Sequence, residues 1–135
     1  MNETDRHSGP ARRSLSTLIA LDLQERLLPV ITDNEQVVKF AGRILRAADI
    51  LGVPVVATEQ YPKGLGRTVE AIRALLDTER IREKLSFGCC GIDGFVNELQ
   101  GLGRSQVVVI GIEAHVCVQQ TVLGLLAAGF EVYVC

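Results

Sequence analysis

Residues 107–129 read VVVIGIEAHVCVQQTVLGLLAAG, and this stretch decides the fold. Val107 to Ile110 are consecutive branched apolar residues, the composition of a strand buried on both faces. Gly111 breaks the run and residues 111–116 form a tight connection. From there Val118, Val122, Leu125 and Leu126 recur at helical spacing, and Gly129 stands where a helix stop belongs. The pattern is strand, turn, helix, with Cys117 at the helix mouth. A helix start carries unpaired N–H groups and partial positive charge, so it favours a thiolate over a thiol. The rest of the chain can be read for what such a sulfur would need.

Working outward, the same alternation repeats. Leu15 to Leu21 read as a first strand ending at Asp22. Asp33 precedes Gln36 at capping-box spacing, and Val37, Ile44, Leu45, Ala48 and Leu51 follow on one helical face, closed by Gly52 and Pro54. Val53 to Thr58 form a second strand, Gln60 to Arg67 (QYPKGLGR) a Pro/Gly loop, and Thr68 is placed to cap a short helix to about Asp77. Arg80 to Lys84 make a weaker third strand before the loop SFGCCG. Asp93 then caps a helix through Phe95, Val96, Leu99 and Leu102, stopped at Gly103, and Glu131 to Cys135 close the chain as a last strand. Five strands alternating with helices predict an α/β, doubly wound parallel sheet with helices on both faces and strand order 3-2-1-4-5. Residues 1–14 (MNETDRHSGPARRS), His7 among them, are polar and read as a disordered tail, leaving 15–135 as one domain.

Composition removes several classes. A formal net charge of -2 gives no electrostatic case for nucleic acid, and 4% aromatics offer few stacking platforms for bases. Cys89, Cys90, Cys117 and Cys135 show no C-x-x-C spacing and no histidine pair nearby, which argues against zinc. The adjacent Cys89 and Cys90 suggest reduced thiols and a cytoplasmic setting. Arg12 and Arg13 before an apolar run imitate an export signal, but the run stops at Asp22 and is followed by Gln24, Glu25 and Arg26. No stretch is long enough to span a membrane.

In a sheet of this order, ligands bind outside the carboxyl ends of the strands where the order reverses, between strands one and four. Asp22, Gln24 and the turn before Cys117 should share that cleft. Lys84 ends strand three, about 10 Å from strand one with one strand between, within reach of a long side chain. Taken singly each residue has a plainer reading. Asp22 fits a solvated strand end or cap, Lys84 a surface charge, and Cys117 a small buried apolar residue. Their joint placement at three strand ends favours one site.

Asp22 in LIALDLQ, Lys84 in REKLSF and Cys117 in GIEAHVCVQQT resemble the isochorismatase-like cysteine hydrolase superfamily, over about residues 15–135. The TEQYPKGLG loop is similar to the metal-independent branch that contains isochorismatase domain-containing proteins. The resemblance implies a catalytic triad of Asp22, Lys84 and Cys117. It also implies a cis peptide between Ile112 and Glu113, which would set the Glu113 and Cys117 N–H groups as an oxyanion hole. The implied reaction is hydrolysis of a small amide or carbamoyl-type C–N bond through a thioester, without cofactor, on a small-molecule substrate, by a homo-oligomer. Gln24, Glu59, Gln60, Tyr61, Phe87 and His115 are candidates for the substrate pocket, each with loop solvation or packing as the alternative. A Cys–His dyad using His115 is disfavoured, because positions i and i+2 at a helix entry point apart.

Metal-dependent relatives bind their ion through an Asp and several His after the second strand, whereas TEQYPKGLGR holds no histidine, so no metal is expected. Relatives usually continue past strand five with a helix and a sixth strand, so the chain is expected to be short at its C-terminus, with one sheet edge uncovered. A catalytically silent domain acting in oligomerisation or protein interaction is the alternative. A phospho-receiver domain fails because Asp22 has no adjacent carboxylate and Lys84 stands at the end of the third strand. A dinucleotide-binding domain fails because no G-x-G-x-x-G follows strand one.

Overall fold

The computed structural model describes residues 9–135. Five strands form one parallel sheet: β1 (Ser16–Leu21), β2 (Val55–Gln60), β3 (Ile81–Lys84), β4 (Gln106–Gly111) and β5 (Glu131–Val134). Their order is β3-β2-β1-β4-β5, as the alternation predicts. The helices are α1 (Asn34–Leu51), α2 (Pro62–Leu65), α3 (Glu70–Arg73), α4 (Phe95–Gly101) and α5 (Gln119–Ala127).

Two apolar layers sandwich the sheet, and alternation along each strand feeds both. Leu18 and Ala20 of β1 join Leu45, Ala48 and Ile72 of α1 and α3 on one side. Ile19 and Leu21 join Phe95, Leu99 and Leu125 of α4 and α5 on the other. Burial of β1 on both faces is complete, which is why it reads as an almost unbroken apolar run. α1 ends as expected, with Gly52 in the left-handed region at φ 70°.

Three expected caps are corrected. Asp33 has φ 56° and makes no side-chain cap bond; its carbonyl, not its carboxylate, accepts from the Gln36 N–H. α3 starts after Val69 without a side-chain cap, because Thr68 is engaged elsewhere. Gly94, not Asp93, precedes α4. The loop expected over Gln60 to Arg67 contains α2, and β2 runs on to Gln60 rather than stopping at Thr58.

Of the tail expected over 1–14, residues 1–8 with His7 lie outside the described residues. Residues 9–14 are fastened to the sheet rather than loose. The Arg12 N–H donates to Gln106 Oε1 at 2.8 Å and Tyr133 Oη donates to the Gly9 carbonyl at 2.8 Å.

Candidate active site

Three strand ends build the site. β1 ends at Leu21 and leads directly into Asp22, whose φ of 55° turns the chain out of the sheet while its N–H still donates to the Thr58 carbonyl. β2 finishes in Gln60 and β3 in Lys84, paired in register. The Lys84 side chain crosses over β2 and its Nζ donates to Asp22 Oδ2 at 2.8 Å, to Gln60 Oε1 at 2.6 Å and to the Phe87 carbonyl at 2.9 Å. An ammonium has three N–H donors, and all three are used. Asp22 Oδ1 accepts from Thr58 Oγ1 at 2.7 Å. Neither side chain of the Asp22–Lys84 pair has any solvent exposure.

Taking two charges out of water is costly, and such a pair persists only when further hydrogen bonds saturate it. Thr58, Gln60 and the Phe87 carbonyl supply those bonds. Gln60 is held in turn. Its N–H donates to Gln24 Oε1 at 2.7 Å, and Gln24 Nε2 donates back to the Gln60 carbonyl and across to the Gly66 carbonyl. Gln24 is a fully buried staple between β2 and the α2 loop rather than a cavity wall.

Cys117 comes from the other side, out of the turn after β4. The Ile112–Glu113 peptide is cis. A π-helical turn over Ala114–Val118 runs straight into α5, and the Glu113 carbonyl accepts from both the Val116 and Val118 N–H groups. The thiol is buried and lies against the Asp22–Lys84 pair. Burial pushes its pKa up to about 11, and hydrogen bonding to Asp22 and the carboxylate's charge push the same way, while Lys84 pulls it down. A helix mouth favours a thiolate, but desolvation and the neighbouring carboxylate act the other way and favour the thiol.

The loop after β3 is clamped to α5. The Cys89 N–H donates to Thr121 Oγ1 at 3.1 Å, and a Cβ at Gly88 would press on the Gln120 backbone. Cys89 is fully buried, with its pKa raised to about 12, chiefly by burial.

A cavity of about 110 Å³ opens over the sulfur, walled by Leu27, Gln60, Leu65, Phe87, Glu113, Val116 and Cys117. Of the residues considered for a substrate pocket, Gln60 and Phe87 are in this wall, as is Glu113, considered for its backbone N–H. Tyr61 instead lines a separate cleft of about 370 Å³ with Pro62, Lys63, Glu83, Lys84 and Leu85. Glu59 is buried below and accepts from the Thr68 N–H and Oγ1 at 2.6 and 2.8 Å, with Arg73 at 3.8 Å. The His115 side chain is 76% exposed, beside Glu113 at 3.8 Å and outside the cavity wall. Thr58, Leu27, Leu65 and Val116 were not singled out from the sequence. Thr58 could have been, since it closes the predicted second strand beside Asp22. No group of three or more His, Cys, Asp or Glu able to hold a metal occurs among the described residues.

The family model described as isochorismatase domain matches residues 16–135. Isochorismatase domain-containing protein 1 of Salmo salar is 44% identical over 115 residues, which cover 83% of this chain and 39% of that protein. The Danio rerio protein of the same name is 40% identical, over 88% of this chain and 42% of its own length. The chain therefore spans about two fifths of these relatives. Among solved structures, the MAR1 ribonuclease from Caenorhabditis elegans superposes with a TM-score of 0.86 at 37% identity, covering 93% of this chain and 65% of that one.

Proposed function

Since the chain belongs to the isochorismatase family, we propose that it is a cysteine hydrolase that cleaves a small amide or carbamoyl-type C–N bond. The observation that carries this reading is the meeting of a thiol, a carboxylate and a fully coordinated ammonium beneath a small cavity. Asp22 accepts the proton of Cys117 as the sulfur attacks the carbonyl carbon. The Glu113 and Cys117 N–H groups receive the oxyanion. The C–N bond breaks, the nitrogen leaves with the proton from Asp22, and a thioester remains. Water then attacks the thioester carbon and passes a proton to Asp22, which returns it to the departing sulfur. The acid is released and the thiol restored. Lys84 makes no bond to the substrate in this scheme; its ammonium, held on Asp22 Oδ2, fixes the orientation of that carboxylate.

The decisive experiment assays a panel of small amides, ureides and carbamoyl compounds for ammonia or amine release, with Cys117→Ser as control. Turnover that survives the substitution, or none across the panel, would sink the reading. The second outcome would favour a catalytically silent domain that acts through interaction.

A ribonuclease reading draws on the 37% identity to the C. elegans structure. Against it stand the net charge of -2 and a lysine with no free donor. Incubation with single-stranded and hairpin RNA, again with Cys117→Ser, separates the two. Self-association belongs to the same proposal: Leu123 and Leu126 of α5 and Val134 of β5 are each more than half exposed, an apolar surface that a second copy would cover. Four free cysteines support a reducing, cytoplasmic setting. No helix among the described residues is long and apolar enough to cross a membrane.

A further inference from the structure

The wall of the Cys117 cavity has a charge and a size, and both select. Besides Cys117, four of its wall residues are apolar (Leu27, Leu65, Phe87 and Val116), one is the neutral Gln60, and one is the acidic Glu113. Among the described residues no basic side chain lines it. Lys84, beneath, has spent its donors on Asp22, Gln60 and the Phe87 carbonyl, and its charge is matched by Asp22. The neighbouring basic residues are engaged elsewhere: Arg26 donates to the Gly64 carbonyl, Lys63 lines the next cleft, and His115, outside the wall and largely exposed, has its Nε2 3.8 Å from Glu113 Oε2. The wall therefore offers an anion no positive partner, and its one acidic residue is Glu113.

From these observations, and resting on the amidase reading above, we infer that the cavity accepts a short, uncharged aliphatic acyl group and rejects acyl groups that carry a carboxylate. An anion entering here would give up water and meet no group of opposite charge in a wall whose one acidic residue is Glu113, in a medium of reduced dielectric. An aliphatic chain would meet Leu27, Leu65, Phe87 and Val116. Size follows from the volume. An apolar cavity of about 150 Å³ takes up benzene, so 110 Å³ holds about four or five non-hydrogen atoms. That is a propionyl or butyryl group, with the leaving nitrogen at the open mouth. Glu113 has two parts in this proposal: its N–H is assigned to the oxyanion, and its acidic side chain adds to the charge selection that the apolar wall begins.

The test alkylates the full chain with iodoacetamide and, separately, iodoacetate at about pH 8.5, where the thiolate that both reagents attack is populated. Rates are read peptide by peptide by mass spectrometry. Both reagents attack the same thiolate, so their rate ratio is independent of how much of the thiol is ionised, and exposed Cys135 supplies the ratio for an open site. The amide-to-carboxylate ratio at Cys117 should exceed that at Cys135 by at least about tenfold. In Glu113→Gln the excess should shrink to about threefold or less. Equal ratios at the two cysteines, or a preference for iodoacetate at Cys117, would overturn the charge selection. Straight-chain primary amides from acetamide to hexanamide test the size, with kcat/KM highest at propionamide or butyramide and lower by at least about tenfold at hexanamide. A profile flat to hexanamide would overturn it. Absence of turnover throughout would sink the amidase reading alone, because the alkylation ratios still decide the character of the cavity.

Discussion

Lys84 Nζ lies 2.8 Å from Asp22 Oδ2 with both side chains shut off from solvent, although sixty-two positions and one whole strand separate them. A buried pair of this kind adds little net stability over an apolar replacement, but either half alone is a liability. Lys84→Met should therefore destabilise the protein by about 3–5 kcal/mol, since it leaves a buried carboxylate without a cation and with only neutral partners, Thr58 and the Cys117 thiol. The double variant Asp22→Asn/Lys84→Met should recover part of that loss. Urea unfolding of the four proteins checks it. A double variant as unstable as the sum of the singles would show that the two groups are not coupled.

Asp22 and Cys117 make opposite demands on a single substitution. Hydrogen bonding to Asp22 and its charge help hold the thiol pKa near 11, while Lys84 pulls it down. Asp22→Asn removes the first influence and keeps the second, so Cys117 should alkylate faster at pH 8 in this variant than in the wild type. Turnover should nevertheless fall by about 10²–10⁴, because the base is gone. In the wild type, labelling of Cys117 should rise about tenfold per pH unit from pH 7 to 10, whereas an ordinary thiol would level off near pH 9. The stability sign follows. The folded pKa is raised, so the contribution of Cys117 is whole below about pH 9 and is lost as pH climbs towards 11. A plateau of labelling by pH 8 would contradict the burial argument.

Gly111 pairs with Leu21 at the point where the strand order reverses, and its φ is +132°. A Cβ there would collide with the Leu21 carbonyl oxygen. The glycine lets β1 and β4 stay in register to their last residues and so sets Asp22 against the turn that carries Cys117. Gly111→Ala should cost at least about 3 kcal/mol through both strain and collision. An unchanged urea midpoint would mean that the two strands can part there without penalty.

How much of this was legible beforehand depends on whether a property is local. Branched runs such as Val107–Ile110 and the alternation of strands with helices carry the sheet order, because crossover and switch-point rules act on the order of elements alone. The same rules bring Asp22, Lys84 and Cys117 to one end of the sheet. Capping was less legible. Asp33, Thr68 and Asp93 have the right chemistry at the right spacing, but the backbone angle at Asp33 and the pull of Glu59 on Thr68 are set by tertiary contacts. The upward push on the Cys117 pKa was hidden for the same reason, since it comes from burial and from a carboxylate just past the end of β1. Gln24 and Glu59 illustrate a further limit. Polar side chains near a strand end read alike whether they face a ligand or satisfy the backbone beneath it.

Glu59 provides a test of that distinction. Its Oε2 accepts from both the N–H and the hydroxyl of Thr68, and Thr68 is 3% exposed, so no water stands ready to replace the carboxylate. Glu59→Ala should cost about 1.5–3 kcal/mol, the range for losing charge-assisted hydrogen bonds that leave a buried donor unpaired. Glu59→Gln, which keeps one acceptor oxygen, should cost less. Because Glu59 does not line the cavity over Cys117, kcat/KM of the folded Glu59→Gln protein on any amide it hydrolyses should stay within about threefold of wild type, ~0.6 kcal/mol. A selective rise in KM for one substrate, with stability unchanged, would move Glu59 from the scaffold into the pocket.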